Sequence, residues 1–140
     1  MGYIHYRELL VWQKGMVIVE EVYRLTLKFP SEEKFGLVSQ MRRSAISIPS
    51  NIAEGKGRAS KKEFAHFVSI ARGSLAELET QLLLSFRLGY IKEIESTSTS
   101  LLLEELQRML DSLLVKLRFP NTFSTSSTFS NSSPYLKNPH

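Results

Sequence analysis

A chain of 140 residues with 42% apolar side chains suits a single domain with an ordinary core, and its lack of cysteine excludes a disulfide framework and a cysteine-based zinc site. No apolar run approaches the roughly 18–20 residues that span a bilayer, and the N-terminus has no basic start followed by an apolar stretch, so a cytoplasmic protein with no membrane partner is expected. The formal charge is +4, and residues 34–72 carry eight cations against Glu54 and Glu63, so the middle of the chain is basic and its flanks slightly acidic.

The first helix is expected from about Arg7 to Phe29, with the apolar seam Leu9, Trp12, Met16, Val19, Tyr23. Pro30 ends it. Ser31 then offers a cap, and Glu32 and Glu33 suit the positive end of a second helix running to Glu54. Its seam is Val38, Met41, Ala45, Ile48, Ile52, in steps of three and four. Pro49 interrupts this pattern and is expected to kink the helix, because it lacks an N–H and crowds the Ala45 carbonyl. Ser47, Ser50 and Asn51 surround the proline and read as structural donors for the carbonyl it leaves unpaired. Gly55 and Gly57 read as C-terminal caps.

Ser60-Lys61-Lys62-Glu63 has the form of a capping box and opens a third helix. Phe64, Val68, Ala71, Leu75, Leu78 and Leu82 make its seam, and it ends near Leu88-Gly89-Tyr90. Gly73-Ser74 gives this helix a stretch where another helix can approach closely. A fourth helix is expected from about Ser100 to Leu117, with the stripe Leu103, Leu106, Leu110, Leu113, Leu117. No segment alternates as a strand would. Short connections between long helices predict an all-α, up-and-down antiparallel four-helix bundle over residues 1–118. Residues 119–140 are rich in Ser, Thr, Asn and Pro and are expected to form a disordered tail. The Asn131-Ser132-Ser133 sequon in that tail reads as coincidence in a chain without a secretory signal.

Reactive constellations are sparse. Asp111 is the only aspartate, and His5, His66 and His140 are far apart, so no Ser-His-Asp arrangement can be argued. Glu63-Phe64-Ala65-His66 has the Glu-x-x-His spacing of di-iron bundles, but there is no second such pair and Glu63 serves the capping box. No enzyme activity, cofactor or metal is expected. Gly55-Lys56-Gly57-Arg58 lacks the spacing of a phosphate loop. It nevertheless places Lys56, Arg58, Lys61 and Lys62 near a helix N-terminus, whose free N–H groups attract anions. With Arg42 and Arg43 these are the candidate nucleic-acid-binding residues. Arg42 and Arg43 have three readings: a nucleic-acid surface, ion pairs with a neighbouring subunit, or solvated cations. Arg72 reads as a structural ion pair, and Trp12, Phe35, Phe64 and Phe67 as core or interface residues.

Several strings resemble one bacterial family. They are Val11-Trp12-Gln13-Lys14, Phe29-Pro30 with Glu33 and Phe35-Gly36-Leu37, Gln40 with Arg42-Arg43, and Ser47-Ile48-Pro49-Ser50-Asn51-Ile52-Ala53-Glu54-Gly55 with Arg58. Ala71-Arg72-Gly73-Ser74-Leu75-Ala76-Glu77-Leu78-Glu79-Thr80-Gln81 and Leu88-Gly89-Tyr90-Ile91 complete the set. In order and spacing they resemble the four-helix-bundle proteins encoded in intervening sequences of 23S ribosomal RNA genes, a group related to the accessory variability proteins of diversity-generating retroelements. Gly15 departs from the pattern, which has alanine there, and is expected to loosen the first helix slightly. The resemblance implies a homopentameric ring without established enzymatic activity, and for the retroelement relatives binding to a reverse transcriptase and to nucleic acid. The expected function is a non-enzymatic oligomeric scaffold contacting RNA or DNA backbone through its basic face. The alternative is a module that docks a partner protein without touching nucleic acid.

Overall fold

The computed structural model describes residues 4–120, which form four helices: α1 Leu10–Thr26, α2 Leu37–Lys56, α3 Lys61–Arg87 and α4 Glu93–Arg118. Each helix packs antiparallel on the next in chain order, and α4 closes against α1. The α2–α3 interface is the most extensive and the α1–α4 interface the least. Among the described residues there is no strand. The tail expected to be disordered lies, beyond Pro120, outside the described residues.

The seams expected on α2 and α3 are buried throughout. On α1 the expected seam is wrong by one position. The buried stripe is Val11, Gly15, Ile18, Val22 and Leu25, while Met16 and Tyr23 are each 38% exposed. One residue turns a helix by about 100°. Both stripes are apolar in sequence, and the glycine in the buried one hides it. Gly15 lies where α1 comes close to α2: a Cβ there would stand 3.3 Å from the Cβ of Pro49. Pro49 is buried against it, and α2 runs unbroken through the proline.

The polar set beside Pro49 has a different role from that expected. Asn51 donates its amide to the Ser47 carbonyl at 2.8 Å and to the Ser47 hydroxyl at 2.9 Å, not to Ala45. The Ser47 hydroxyl in turn meets that of Ser74 at 2.8 Å, linking α2 to α3. A Cβ on Gly73 beside it would meet nothing within 4 Å, so within the subunit the close approach lies elsewhere. It occurs at Gly55, where a Cβ would lie 2.6 Å from the Cβ of Phe67. Gly55 is therefore a packing glycine inside α2, not its cap. Of the aromatics expected in the core or at an interface, Phe64 is buried, Trp12 and Phe67 are half-buried, and Phe35 is 89% exposed.

The helix ends also differ. Ser31–Glu33 forms a separate 3-10 turn, and α2 starts only at Leu37. Phe29 packs on Tyr90 with ring centroids 5.2 Å apart, and the Tyr90 hydroxyl donates to Glu33 at 3.1 Å. These contacts pin the α1–α2 connection to the α3–α4 connection. Gly89, at φ +80°, makes the turn that presents Tyr90.

α4 begins at Glu93, one to two turns before the expected start, and includes the run Ser96–Ser100. Tertiary contacts outweigh the poor helix propensity of that run. The Glu95 carboxylate accepts the Lys92 backbone N–H at 3.1 Å and pairs with Lys28 of α1. Thr99 is fully buried, with its hydroxyl 3.5 Å from Glu21. Lys14 pairs with Glu105 at 3.0 Å further along the same junction. The least extensive interface of the bundle is thus laced with charge.

Two of these features give testable outcomes. Gly55→Ala forces the α2 and α3 backbones apart and is expected to destabilise by about 1–3 kcal/mol, whereas Gly73→Ala, with open space around it, stabilises by up to about 1 kcal/mol. Urea unfolding of the two variants checks the contrast, and equal effects contradict it. The second concerns acid. The hydrogen bond from Lys28, then the Lys92 backbone N–H, hold the Glu95 carboxyl below its ordinary 4.5, and Arg24 does the same for Glu21 against the opposing effect of burial. Depressed folded values mean that the stabilisation is full above about 4.5 and is lost as pH falls through them. Glu95→Gln should therefore lower stability at neutral pH, and its deficit relative to wild type should shrink below about pH 4.5. A deficit independent of pH would assign the effect to packing.

Candidate nucleic-acid interface

An up-and-down bundle of four helices puts the start of α1, the α2–α3 turn and the end of α4 at one end. Contacts between the Tyr6–Glu8 turn and α2 and the shared lining of a cleft by α3 and α4 place them so. The arrangement gathers Arg7, Lys56, Arg58, Lys61, Lys62, Lys116 and Arg118, against Glu8, Glu54 and Glu63. At the opposite end Lys28, Lys34, Arg87 and Lys92 are interspersed with Glu32, Glu33, Glu93 and Glu95. Folding thus concentrates positive charge at one end of the bundle.

The six candidate cations do not form one patch. Arg42 and Arg43 sit in the middle of α2, and Arg42 is about 20 Å along the axis from Lys56. Arg42 is half-buried. Its guanidinium lies 4.3 Å from the Tyr23 ring centroid and donates to Thr26 Oγ1 at 3.0 Å, which ties α2 to α1. Arg43 beside it is exposed. At the basic end, Lys56 lies 5.7 Å from the Phe64 ring and Arg58 lies 4.9 Å from the Phe67 ring. Arg58 also pairs with Glu54 at 2.9 Å. Lys61 and Lys62 stand exposed in the first turn of α3, where Ser60 accepts the Glu63 N–H at 3.1 Å. Arg43, Lys61 and Lys62 are therefore the most available of the six, while the aromatic faces orient Arg42, Lys56 and Arg58.

Reading the sequence by segments missed Arg7, Lys116 and Arg118, which come from the start of the first helical segment and the end of the last. The signal was present in the expected topology, since a fourth antiparallel helix must return its C-terminus to the α2–α3 turn. There an open cleft of about 430 Å³ lies between the start of α3 and the end of α4, lined by Lys62, Ala65, His66, Ser69, Leu117 and Arg118. Arg118 donates to Ser69 Oγ at 2.8 Å across it.

Elsewhere the charged residues serve the scaffold. Arg72 pairs with Asp111 between α3 and α4, as expected, so the single aspartate is committed to a surface ion pair. His66 is exposed with its ring against Phe67. Among the described residues no three His, Asp or Glu side chains come together to hold a metal ion, and no helix is long and apolar enough to cross a membrane.

Fold and site together define an all-α four-helix bundle with cations gathered at one end. Residues 7–112 match the family model of the 23S rRNA-intervening sequence proteins, and since this is most of the chain, the chain belongs to that family. Its structure is similar to the crystal structure of a protein of unknown function from the S23 ribosomal protein family of Bacteroides thetaiotaomicron. The two share 24% identity and a TM-score of 0.69 over 75% of this chain and 95% of that one, a likeness that shows the fold. No curated protein gives a significant match.

Proposed function

We propose that this protein is a non-enzymatic oligomeric scaffold in the cytoplasm, whose basic end contacts the backbone of RNA or DNA. The observation that carries the reading is the collection of Lys56, Arg58, Lys61 and Lys62 with Arg7, Lys116 and Arg118 at one end of the bundle. Arg42 and Arg43 extend the charge along α2. Cations on a turn and on helix exteriors meet phosphates, not base edges, so little sequence preference is expected. In this reading residues 1–118 are the scaffold and 119–140 a tail outside its core.

Assembly belongs to the same proposal. Met16, Tyr23 and Ile46 leave apolar surface exposed on α1 and α2. A closed ring, read as a homopentamer, hides such surface without leaving an open edge. A retroelement role completes it: the scaffold accompanies a reverse transcriptase, as the resemblance to accessory variability proteins suggests. A second reading, a module that docks a partner protein without touching nucleic acid, is favoured by Leu27, Phe35 and Ile94 around the opposite end. They are 79%, 89% and 75% exposed.

A salt titration of binding to structured RNA and to DNA separates the two readings. Each neutralised phosphate releases counterion, so wild-type affinity should fall steeply with salt. Replacing Lys56, Arg58, Lys61 and Lys62 by glutamine should flatten the slope by about one for each phosphate that is no longer neutralised, with an unchanged circular dichroism spectrum. The pair Arg42→Gln and Arg43→Gln should flatten it less. Equal affinity of wild type and the four-residue variant, or no wild-type binding at low salt, would contradict the proposal and leave the protein-docking reading.

A further inference from the structure

The cleft between α3 and α4 differs from the rest of the basic end in being concave and chemically mixed. Lys62 and Arg118 stand on its two walls, one from the first turn of α3 and the other from the last residue of α4. Among the described residues no carboxylate lines it. Ser69 and His66 add groups that form hydrogen bonds, and Ala65 and Leu117 supply apolar surface. Arg118 is held in place by its bond to Ser69, which uses one of five guanidinium N–H donors and leaves the others for a ligand. A guanidinium fixed in this way suits bidentate contact with a phosphate. The volume of about 430 Å³ exceeds the needs of a lone phosphate ion and lies in the range of small-ligand sites.

We propose that this cleft seats one nucleotide of a single-stranded nucleic acid. Lys62 and Arg118 clamp its phosphate, Ser69 and His66 bond to the phosphate or sugar, and the base or sugar rests on Ala65 and Leu117. The proposal rests on the nucleic-acid reading above and makes it specific. The exposed cations of the turn draw a strand in from any direction, and the cleft gives it one fixed point. A duplex presents its bases stacked and paired, so the seat favours single strands. Lys62 and Arg118 belong to the basic end as well, so the two claims are separated by comparing charge removed inside the cleft with equal charge removed outside it.

The test uses the full chain and a short single-stranded oligouridylate, with a duplex of equal length for comparison. Lys62→Gln with Arg118→Gln should lower affinity for the single strand about tenfold or more at low salt and reduce the salt slope by about one, for the one phosphate they clamp. Lys61→Gln with Lys116→Gln removes as much charge from the same end outside the cleft and should cost less, and the double variant of the cleft should lose most of the preference for single strands over duplex. If wild type binds and both double variants behave alike, the seat is wrong while the basic-end reading stands. If wild type binds nothing, both fail. Because Arg118 also bonds Ser69, the cleft variant risks unfolding, and cross-linking of thiouridine-labelled oligonucleotide to wild type then decides. Adducts on residues 62–69 or 117–118 support the seat, and adducts confined to other residues overturn it. Competition distinguishes a strand from a free phosphate compound. Uridine monophosphate or inorganic phosphate should displace the oligonucleotide only at far higher concentration. Tight binding of either one without displacement of the strand would give the cleft to a small phosphate ligand and overturn the proposal.

Discussion

The structure depends on how closely α2 approaches its two neighbours. At Gly55 there is no room for a Cβ against Phe67, and at Gly15 a Cβ would press on Pro49. Between these points the Ser47–Ser74 hydroxyl pair keeps α2 and α3 in register. Backbone-level contacts of this kind tolerate little adjustment, because no side-chain rotation relieves them. They bring α2 to its end directly over the start of α3, so that only residues 57–60 connect the two helices. The position of Lys56, Arg58, Lys61 and Lys62 follows from that approach.

The other half of the basic end depends on a weaker contact. α4 closes on α1 through the least extensive interface, and ion pairs from Lys14, Lys28 and Arg24 to Glu105 and Glu95 run along it. Such partly exposed pairs contribute little each. Their effect is on placement: they hold the poor helix former Ser96–Ser100 in α4 and fix the axis along which the helix carries Lys116 and Arg118 back to the α2–α3 turn. Close packing on one side and charge pairing on the other converge on the same end of the molecule.

Much of this was legible in the residues. The three-and-four spacing on α2 and α3 located the core of both helices, the Ser60 cap marked the start of α3, and the concentration of cations in the middle third pointed to the α2–α3 turn. What misled was glycine. Gly15 interrupts the true seam of α1 and makes the neighbouring apolar stripe look the more regular, while Gly55 imitates a helix stop although its reason is a contact with a distant phenylalanine. The start of α4 was hidden because Thr99 is held by burial and Glu95 by Lys28, neither of which is local. Likewise the cleft cannot be read from segments, since Ser69 and Arg118 meet only when α3 and α4 pair. The basic end as a whole was within reach of the topology, which assigns both chain ends of the bundle to one side.

The central claim is that folding makes one end of the bundle the surface that meets nucleic acid. Lysine acetylation footprinting reads it most directly, because lysines occur at both ends of the molecule. With and without a single-stranded RNA at low salt, the account predicts protection of Lys56, Lys61, Lys62 and Lys116, while Lys28, Lys34 and Lys92 at the opposite end react at unchanged rates. Equal protection at both ends, or protection of the opposite end alone, would contradict it.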